Sequence, residues 1–277
     1  MSRWSEHQQA MLREMGLRLW LAPQAPPAAG LLPDIVATAA PGAAPAAAPA
    51  TARVAAPVAA APSTRPAAPI PAAAAPKLAQ PAGAVATLDW PALRSAVAAC
   101  TACSLCQSRQ QTVFGTGHLR AHCMIVGEAP GEQEDAQGEP FVGESGQLLD
   151  RMLAALGLSR QPGDPARQVY IANTLKCRPP RNRNPSPEEL AQCQPFLQRQ
   201  VALVQPRVIL AMGRFAVQSL LGSDAPVGQL RGQLHDWHGV PLVVTYHPAY
   251  LLRQPQAKAD AWDDLCRAAQ LLDAAPA

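Results

Sequence analysis

Residues 88–277 alternate between short apolar runs and amphipathic stretches. The apolar runs, typical of buried strands, are residues 122–127 (HCMIVG), 169–173 (VYIAN), 207–213 (RVILAMG) and 241–248 (PLVVTYHP). The other stretches place apolar residues at helical spacing, and we predict helices over 90–99, 146–156, 186–204 and 259–274. Ser186, Pro187 and Glu189 are the residue types of a capping box and mark the start of the third helix. This alternation indicates an α/β fold in which helices cover a parallel sheet.

The first 87 residues have a different pattern. Residues 23–87 are almost entirely Ala, Pro, Val, Thr and Gly, a composition that buries too little apolar surface to offset its ordering entropy. We predict a disordered Ala/Pro-rich linker there. Residues 1–22 form a short amphipathic segment with two interpretations. It is either a frayed tail or a docking motif for a replisome partner, because LREMGLRLW resembles the anchoring segment of a small bacterial clamp-loader subunit.

Composition narrows the class of protein. The formal net charge of +3 permits a nucleic-acid partner without identifying one. No proline-free apolar run of about 18 residues occurs, and the start of the chain lacks the order of a secretion signal. We therefore expect a cytoplasmic protein without a membrane partner. Seven cysteines, an odd number, argue against a disulfide framework and for metal ligation or free thiols.

Four of the cysteines fall into two pairs. Cys100 and Cys103 have C-x2-C spacing, and Cys177 and Cys193 flank a proline-containing loop. Four thiolates suit a zinc ion or an iron–sulfur cluster, and the residues leave both open. Three further cysteines show that the chain also tolerates incidental thiols, so the four are incidental in the alternative interpretation. One of the three, Cys106, is a candidate substitute ligand.

The segments that follow the predicted strands hold the unusual residues. Ligands of parallel sheets bind beyond the carboxyl ends of the strands. The first strand is followed by GEAPGEQEDAQGEPFVGESG, which lacks both the GK[ST] ending of a P-loop and a GxGxxG order. Its acidic residues and Phe141 suit either a solvated loop with a core anchor or a ligand site.

Two other segments have the same ambiguity. Arg178, Arg181 and Arg183 are either solvated loop charges or a clamp for nucleic-acid phosphates. His247, held in a turn by Pro248 after the last strand, is either structural or placed for chemistry.

Together these segments resemble a known family. The runs GEAPGEQED, GEPFVG, VYIANTLKCRPPRNRNP and TYHPAYLLR are similar to the motif set of the family 4 uracil-DNA glycosylases, the iron–sulfur branch of that superfamily. The similarity runs from about Cys100 to Trp262 in collinear order. It implies that residues 88–277 form a three-layer α/β/α sandwich with a central parallel four-stranded sheet. It also implies a monomer with a [4Fe–4S] cluster held by Cys100, Cys103, Cys177 and Cys193.

The resemblance further implies hydrolytic excision of uracil from single- or double-stranded DNA, the first step of base excision repair. In this hypothesis Phe141 stacks on the extruded uracil. Asn173 recognises its Watson–Crick edge, and Glu134 opposes its C5 side. His247 stabilises the departing anion.

Other roles follow from the same resemblance. Leu251 and Leu252 are expected to insert into the base stack, and Arg253, Arg178 and Arg183 to contact phosphates. Ala129 stands in the substrate pocket where the best-known branch of the superfamily has an aspartate that orients water. Glu128 is therefore the candidate for that task.

Two rival functions remain open. One is a relative that becomes covalently trapped on uracil-DNA, which carries a basic loop insertion that LRGQLHDWHG lacks. The other is a non-catalytic DNA-binding module tethered to the replisome.

Overall fold

A six-stranded sheet lies at the centre of the structure, a computed structural model that describes residues 82–274. The strands are β1 (Thr116–Gly117), β2 (Cys123–Gly127), β3 (Val169–Asn173), β4 (Val208–Met212), β5 (Leu234–Trp237) and β6 (Val240–Thr245). Their order is β1-β3-β2-β4-β6-β5. The middle four strands run parallel, and Ile125 on β2 is in register with Ile171 on one side and Leu210 on the other. The edge strands β1 and β5 are antiparallel to their neighbours.

Helices surround this sheet. They are α1 (Ala82–Val85), α2 (Trp90–Ala98), α3 (Glu132–Gln137), α4 (Glu144–Ala155), α5 (Pro187–Val204), α6 (Arg214–Leu221), α7 (Val227–Leu230), α8 (Pro248–Arg253) and α9 (Lys258–Ala274). Four short 3-10 helices cover Ser104–Gln107, Pro165–Arg167, Pro180–Asn182 and Pro255–Ala257. The capping box predicted at the start of α5 is present, because the Ser186 hydroxyl accepts from the Glu189 N–H and the Glu189 carboxylate accepts from the Ser186 N–H.

Two apolar cores lie on opposite faces of the sheet. Side chains alternate along each strand, so Ile125 packs on one face with Leu149 of α4 and Trp262 of α9. Its neighbour Val126 packs on the other face with Val201 of α5 and with α6. The predicted three-layer α/β/α sandwich is therefore confirmed.

The sheet is wider than predicted. The four predicted parallel strands form its centre, and the two antiparallel edge strands add to them. β1 has only two residues, too short for a periodic signal. β5 has no fully buried residue and carries no apolar run.

The described residues include the last part of the predicted linker. Val85, inside the range 23–87 assigned to the linker, is buried with Leu93, Val97 and Phe114. Helix α1 therefore lies within the range that the sequence assigned to the linker. The amphipathic segment 1–22 and the rest of the predicted linker lie outside the described residues. Between Ala82 and Ala274, no helix has the length and apolar character needed to cross a membrane.

Candidate active site

A cleft of about 750 Å³ opens at the carboxyl ends of the parallel strands. It is lined by eight residues to which the sequence assigned a role in substrate or DNA binding or catalysis: Glu128, Ala129, Glu134, Phe141, Asn173, Arg183, His247 and Arg253. These residues come from three separate segments, at or after the ends of β2, β3 and β6, because the ends of parallel strands meet at one edge of the sheet.

Phe141, Asn173 and His247 converge in this cleft. The last residue of β2, Gly127, has no side chain, and a Cβ there would lie 2.5 Å from Asn173 Oδ1 and 2.6 Å from Cζ of Phe141. The Phe141 ring stacks on the His247 ring with centroids 5.3 Å apart and planes at 27°. Side chains that are more than a hundred residues apart along the chain thus form one group.

The turn that carries Phe141 is fixed by the backbone and by Glu134. Phe141 has a φ of 55°, a left-handed conformation that non-glycine residues adopt only when their surroundings hold them there. Oε1 of Glu134 accepts from the N–H groups of Val142 and Gly143 at 2.9 and 3.1 Å, and Oε2 accepts from Gly131 N–H at 3.0 Å. The Glu134 carboxylate therefore holds the turn in place.

Asn173 lies at the end of β3 and is almost fully buried. Among the described residues its Oδ1 has no hydrogen-bond partner. A buried amide oxygen without a partner costs free energy unless a ligand satisfies it. The backbone carbonyl of Asn173 is held in place, because it accepts a hydrogen bond from Lys176 Nζ at 2.7 Å.

The His247 ring is held in one tautomer. Its Nδ1 accepts from the Ala249 N–H at 3.2 Å, which caps α8. The ring proton of the neutral imidazole therefore lies on Nε2, which becomes a hydrogen-bond donor. Burial lowers the pKa of His247 to about 4, and Arg253 contributes in the same direction. The ring is neutral at physiological pH.

Glu128 also lines the cleft. Burial raises the pKa of its carboxyl, and the positive charges of Arg214 and Arg253 partly offset this. A half-buried carboxylate with a raised pKa in a cleft is a candidate for accepting a proton or orienting water.

The cysteines form a second site. A small cavity is lined by Cys100, Cys103, Cys106, Cys177 and Cys193. Three segments supply them: the loop after α2, the loop after β3, and helix α5. In the described part of the chain, no three histidine, cysteine or carboxylate groups are placed to hold a single metal ion.

The surroundings of these thiols are partly polar. Burial raises the pKa of Cys177 to about 11 and that of Cys193 to about 12. Arg109 Nη1 donates to Cys177 Sγ at 3.0 Å, and Nη2 donates to the carbonyl of Cys100 at 2.9 Å. A guanidinium held against these sulfurs offsets negative charge and favours thiolates.

Two residues connect the cysteine cavity to the cleft. Lys176 is fully buried beside Cys177 and lines the cavity. Its Nζ donates both to the carbonyl of Asn173 and to Gln200 Oε1, at 2.7 and 2.6 Å. Ala129 lines the cleft and packs against the apolar cluster that contains Cys177. Groups bound in the cavity and in the cleft therefore share one set of supporting side chains.

Comparison with known proteins assigns the family. The family model of the uracil DNA glycosylase superfamily matches residues 114–266. A type-4 uracil-DNA glycosylase from Archaeoglobus fulgidus is 38% identical over 183 residues, which are 63% of this chain and 89% of the relative. One from Thermotoga maritima is 44% identical over 156 residues, which are 56% of this chain and 78% of the relative. One from Pyrobaculum aerophilum is 40% identical over 186 residues, which are 64% of this chain and 92% of the relative.

The chain belongs to the type-4 uracil-DNA glycosylases. As a uracil-DNA glycosylase it is a hydrolase of N-glycosidic bonds in DNA repair, which confirms the family and the enzyme class expected from the sequence.

One predicted DNA contact of this type-4 glycosylase is wrong. Leu251 is fully buried in the core that also contains Leu149 and Trp262. Its neighbour Leu252 is 42% exposed. Successive residues on a helix point about 100° apart, so only one of the two leucines of α8 faces outward. Leu252 alone keeps the predicted role.

Two of the three predicted phosphate contacts of the glycosylase, Arg178 and Arg183, have partners within the chain. Arg183 forms a bidentate ion pair with Glu189, with distances of 2.9 and 2.6 Å, while it also lines the cleft. Arg178 donates to Asn182 Oδ1 at 2.8 Å and to Glu132 Oε2 at 3.3 Å, and lies outside the cleft lining. Both arginines stabilise the loop between β3 and α5.

Two residues of the glycosylase site were missed. Arg214 begins α6 directly after β4, is exposed, and lines the cleft. Its place after a strand's carboxyl end was the signal that could have identified it. Lys176 was missed because a lysine in a loop is usually solvated, and its neighbour Cys177 was the only sign of a buried position.

Proposed function

We propose that this uracil-DNA glycosylase binds an extruded uracil between Phe141, Asn173 and His247 and cleaves its N-glycosidic bond by hydrolysis. The observation that carries the proposal is the convergence of these three side chains in one cleft. A base can reach such a cleft only after it leaves the duplex stack.

Recognition of uracil is assigned to Phe141 and Asn173. The ring of Phe141 offers an apolar face on which the pyrimidine stacks. The Asn173 amide has an acceptor oxygen and a donor nitrogen, which match the N3–H and O4 of uracil and mismatch the edge of cytosine. The unpartnered Oδ1 supports this assignment. The expected position of Glu134 at the C5 side stays a prediction, and its three backbone hydrogen bonds add a role in fixing Phe141.

Cleavage breaks the bond between C1′ of the sugar and N1 of uracil. The bonding electrons leave with uracil, which becomes an anion. A water attacks C1′ and gives up a proton to the Glu128 carboxylate, which leaves an abasic sugar with a hydroxyl group on C1′. His247 donates its Nε2–H toward O2 of the departing anion and stabilises it. Since the imidazole is neutral, it stabilises the anion as a fixed hydrogen-bond donor.

We assign the task of orienting the attacking water to Glu128, because the Ala129 side chain has no polar group that could hold it. The Glu128→Gln variant should excise uracil about ten- to a hundredfold more slowly, the cost of a lost hydrogen bond to a charged group. The wild-type rate should also fall as the pH drops through the raised pKa of Glu128. Single-turnover rates across pH measure both effects. If the decrease in rate at low pH persists unchanged in Glu128→Gln, a group other than Glu128 causes it.

The cysteine cavity is proposed to hold a [4Fe–4S] cluster on Cys100, Cys103, Cys177 and Cys193. These four thiols line one cavity together with that of Cys106, and soft thiolates suit iron–sulfur clusters. A cluster of several irons would be held by these four thiolates, which would not need to converge on one ion. When bound, the cluster supplies structural bracing. The Arg109 guanidinium and the Lys176 ammonium face the thiolates and offset their charge.

DNA is proposed to lie across the cleft in single- or double-stranded form. Arg253 and Arg214 are both exposed on the cleft lining and suit phosphate contacts. Leu252 suits insertion into the stack. We also propose that the protein acts as a monomer.

The test is an oligonucleotide nicking assay. Wild-type protein should convert a single uracil to an alkali-sensitive site, and Asn173→Ala should do so about ten- to a hundredfold more slowly, because one buried amide is lost. No nicking by the wild type would favour the non-catalytic DNA-binding module. A stable protein–DNA adduct on a denaturing gel would favour the covalently trapped relative.

A further inference from the structure

The cleft is larger than one pyrimidine needs. Its volume of about 750 Å³ suits a ligand of drug size. The side chains proposed to bind uracil, Phe141, Asn173 and His247, form one part of its wall. Another part is formed by Tyr246 and Tyr250, to which neither the proposed chemistry nor the predicted DNA contacts assign a role.

The two tyrosines form a stacked pair. Their ring centroids are 4.9 Å apart and the planes differ by 25°. Tyr246 is packed from the protein side, because the Arg231 guanidinium lies over its ring at 5.7 Å. A Cβ on Gly228 of α7 would be only 3.4 Å from the Tyr246 hydroxyl. Tyr246 therefore supports its partner from behind as a fixed surface.

Tyr250 has the opposite environment. It is 39% exposed, one of the few large apolar side chains exposed in the described part of the chain. With one face covered by Tyr246, it offers aromatic surface to the cleft. A stacked aromatic pair with one open side can accept a further planar ring.

We propose that Tyr250, backed by Tyr246, is a stacking subsite for the nucleobase next to the extruded uracil. The inference rests on the proposed function for its placement of uracil beside His247. It adds a second base-binding position in the same cleft.

The position of Tyr250 supports this occupant. Its N–H donates to the carbonyl of His247 at 2.8 Å, so one helical turn fixes Tyr250 relative to the proposed catalytic histidine.

The positive charges at the cleft suit the phosphates of a bound DNA strand. Arg253 follows Tyr250 by three residues on α8, and Arg214 lies across the cleft lining. Phosphate contacts from arginine and base stacking on tyrosine are the usual combination in single-strand binding. Stacking is tolerant of base identity, so this subsite is expected to bind any neighbouring base.

The test is a double-mutant cycle on the full chain. The probe is a single-stranded oligonucleotide that carries non-cleavable 2′-fluoro-2′-deoxyuridine. In two further probes, the nucleotide on one or the other side of it is replaced by an abasic tetrahydrofuran. Kd is measured for the wild type, Tyr250→Ala and Tyr250→Phe.

Tyr250→Ala should raise Kd about tenfold on the intact probe, and Tyr250→Phe should leave it near the wild-type value. On the probe that lacks the stacking neighbour, wild type and Tyr250→Ala should bind equally. Tyr250→Leu, which keeps apolar volume, is the second variant if alanine destabilises the fold, and it should lose affinity in the same probe-dependent way.

An equal loss on all three probes, or no loss on any, would overturn the subsite. Inhibition by free uracil should be unchanged in Tyr250→Ala, because the uracil position is not altered. If either result is obtained with a protein that still excises uracil, only this inference is rejected. A wild type without excision activity rejects the proposed function instead.

Discussion

Replacement of His247 with alanine is expected to lower the single-turnover rate of uracil excision about 10²- to 10³-fold, the usual cost of one preorganised donor. The donor is Nε2–H, because Nδ1 is engaged with the Ala249 N–H. The ring is held against Phe141, so it needs no reorganisation when charge develops on uracil. Rapid-mixing measurements on a uracil oligonucleotide give the rate.

A matched variant separates this role from the helix cap. His247→Asn keeps a side-chain acceptor at the N-cap of α8, a position that asparagine suits well. His247→Ala loses that cap, at a cost of about 1 kcal/mol of stability. Asparagine should therefore restore thermal stability without restoring the rate. If His247→Asn recovered both, the histidine would act only through the helix.

The lowered pKa of His247 adds a pH criterion. Because burial lowers this pKa to about 4, the ring stays neutral at all higher pH values, and protonation sets in only as the pH falls toward 4. The excision rate should show no inflection from this histidine near its ordinary pKa of about 6.5. Nitrogen NMR of the ring, assigned with His247→Asn, should show the neutral Nε2–H form at neutral pH. A midpoint near the ordinary value would contradict the proposed donor.

Replacement of Cys177 with serine is expected to abolish the visible absorption of anaerobically purified protein and to lower its thermal midpoint by at least about 10 °C. The proposed cluster would lose one of its four thiolates, while Arg109 would lose the sulfur to which it donates. Excision should fall as well. The ammonium of Lys176, which holds the Asn173 carbonyl, would be left buried with one of the two sulfurs that offset its charge removed.

Cys106→Ser is the matched control, because Cys106 lines the same cavity. It should keep the absorption, the thermal midpoint and the activity. Loss of absorption in Cys106→Ser with retention in Cys100→Ser or Cys103→Ser would move the ligand assignment to Cys106. Iron and zinc analysis of the wild type distinguishes the cluster from a zinc ion.

The predictable parts of the fold were those with a strong local signal. The four parallel strands are continuous apolar runs because both of their faces are buried, and Val169–Asn173 matches the predicted range. The capping box of α5 is likewise local, since it depends on residues within one turn. The edge strands escaped prediction because β1 is too short and β5 is only partly covered.

The leucines of α8 show the limit of motif transfer. The run TYHPAYLLR identified the segment and its histidine correctly as part of the cleft. It could not distinguish Leu251 from Leu252, because the direction of each side chain depends on how α8 packs against α4. The same packing left Tyr250 facing the cleft.

By itself the sequence determined the family, the four central strands, four of the helices, and the segments that contribute to the site, because these depend on local periodicity and on motifs. Only the tertiary structure decided which side chains meet. It placed Gly127 where Asn173 and Phe141 converge, and it buried Lys176 between the cysteine cavity and Asn173. Such contacts join residues far apart along the chain, so they are set by the packing of whole strands and helices.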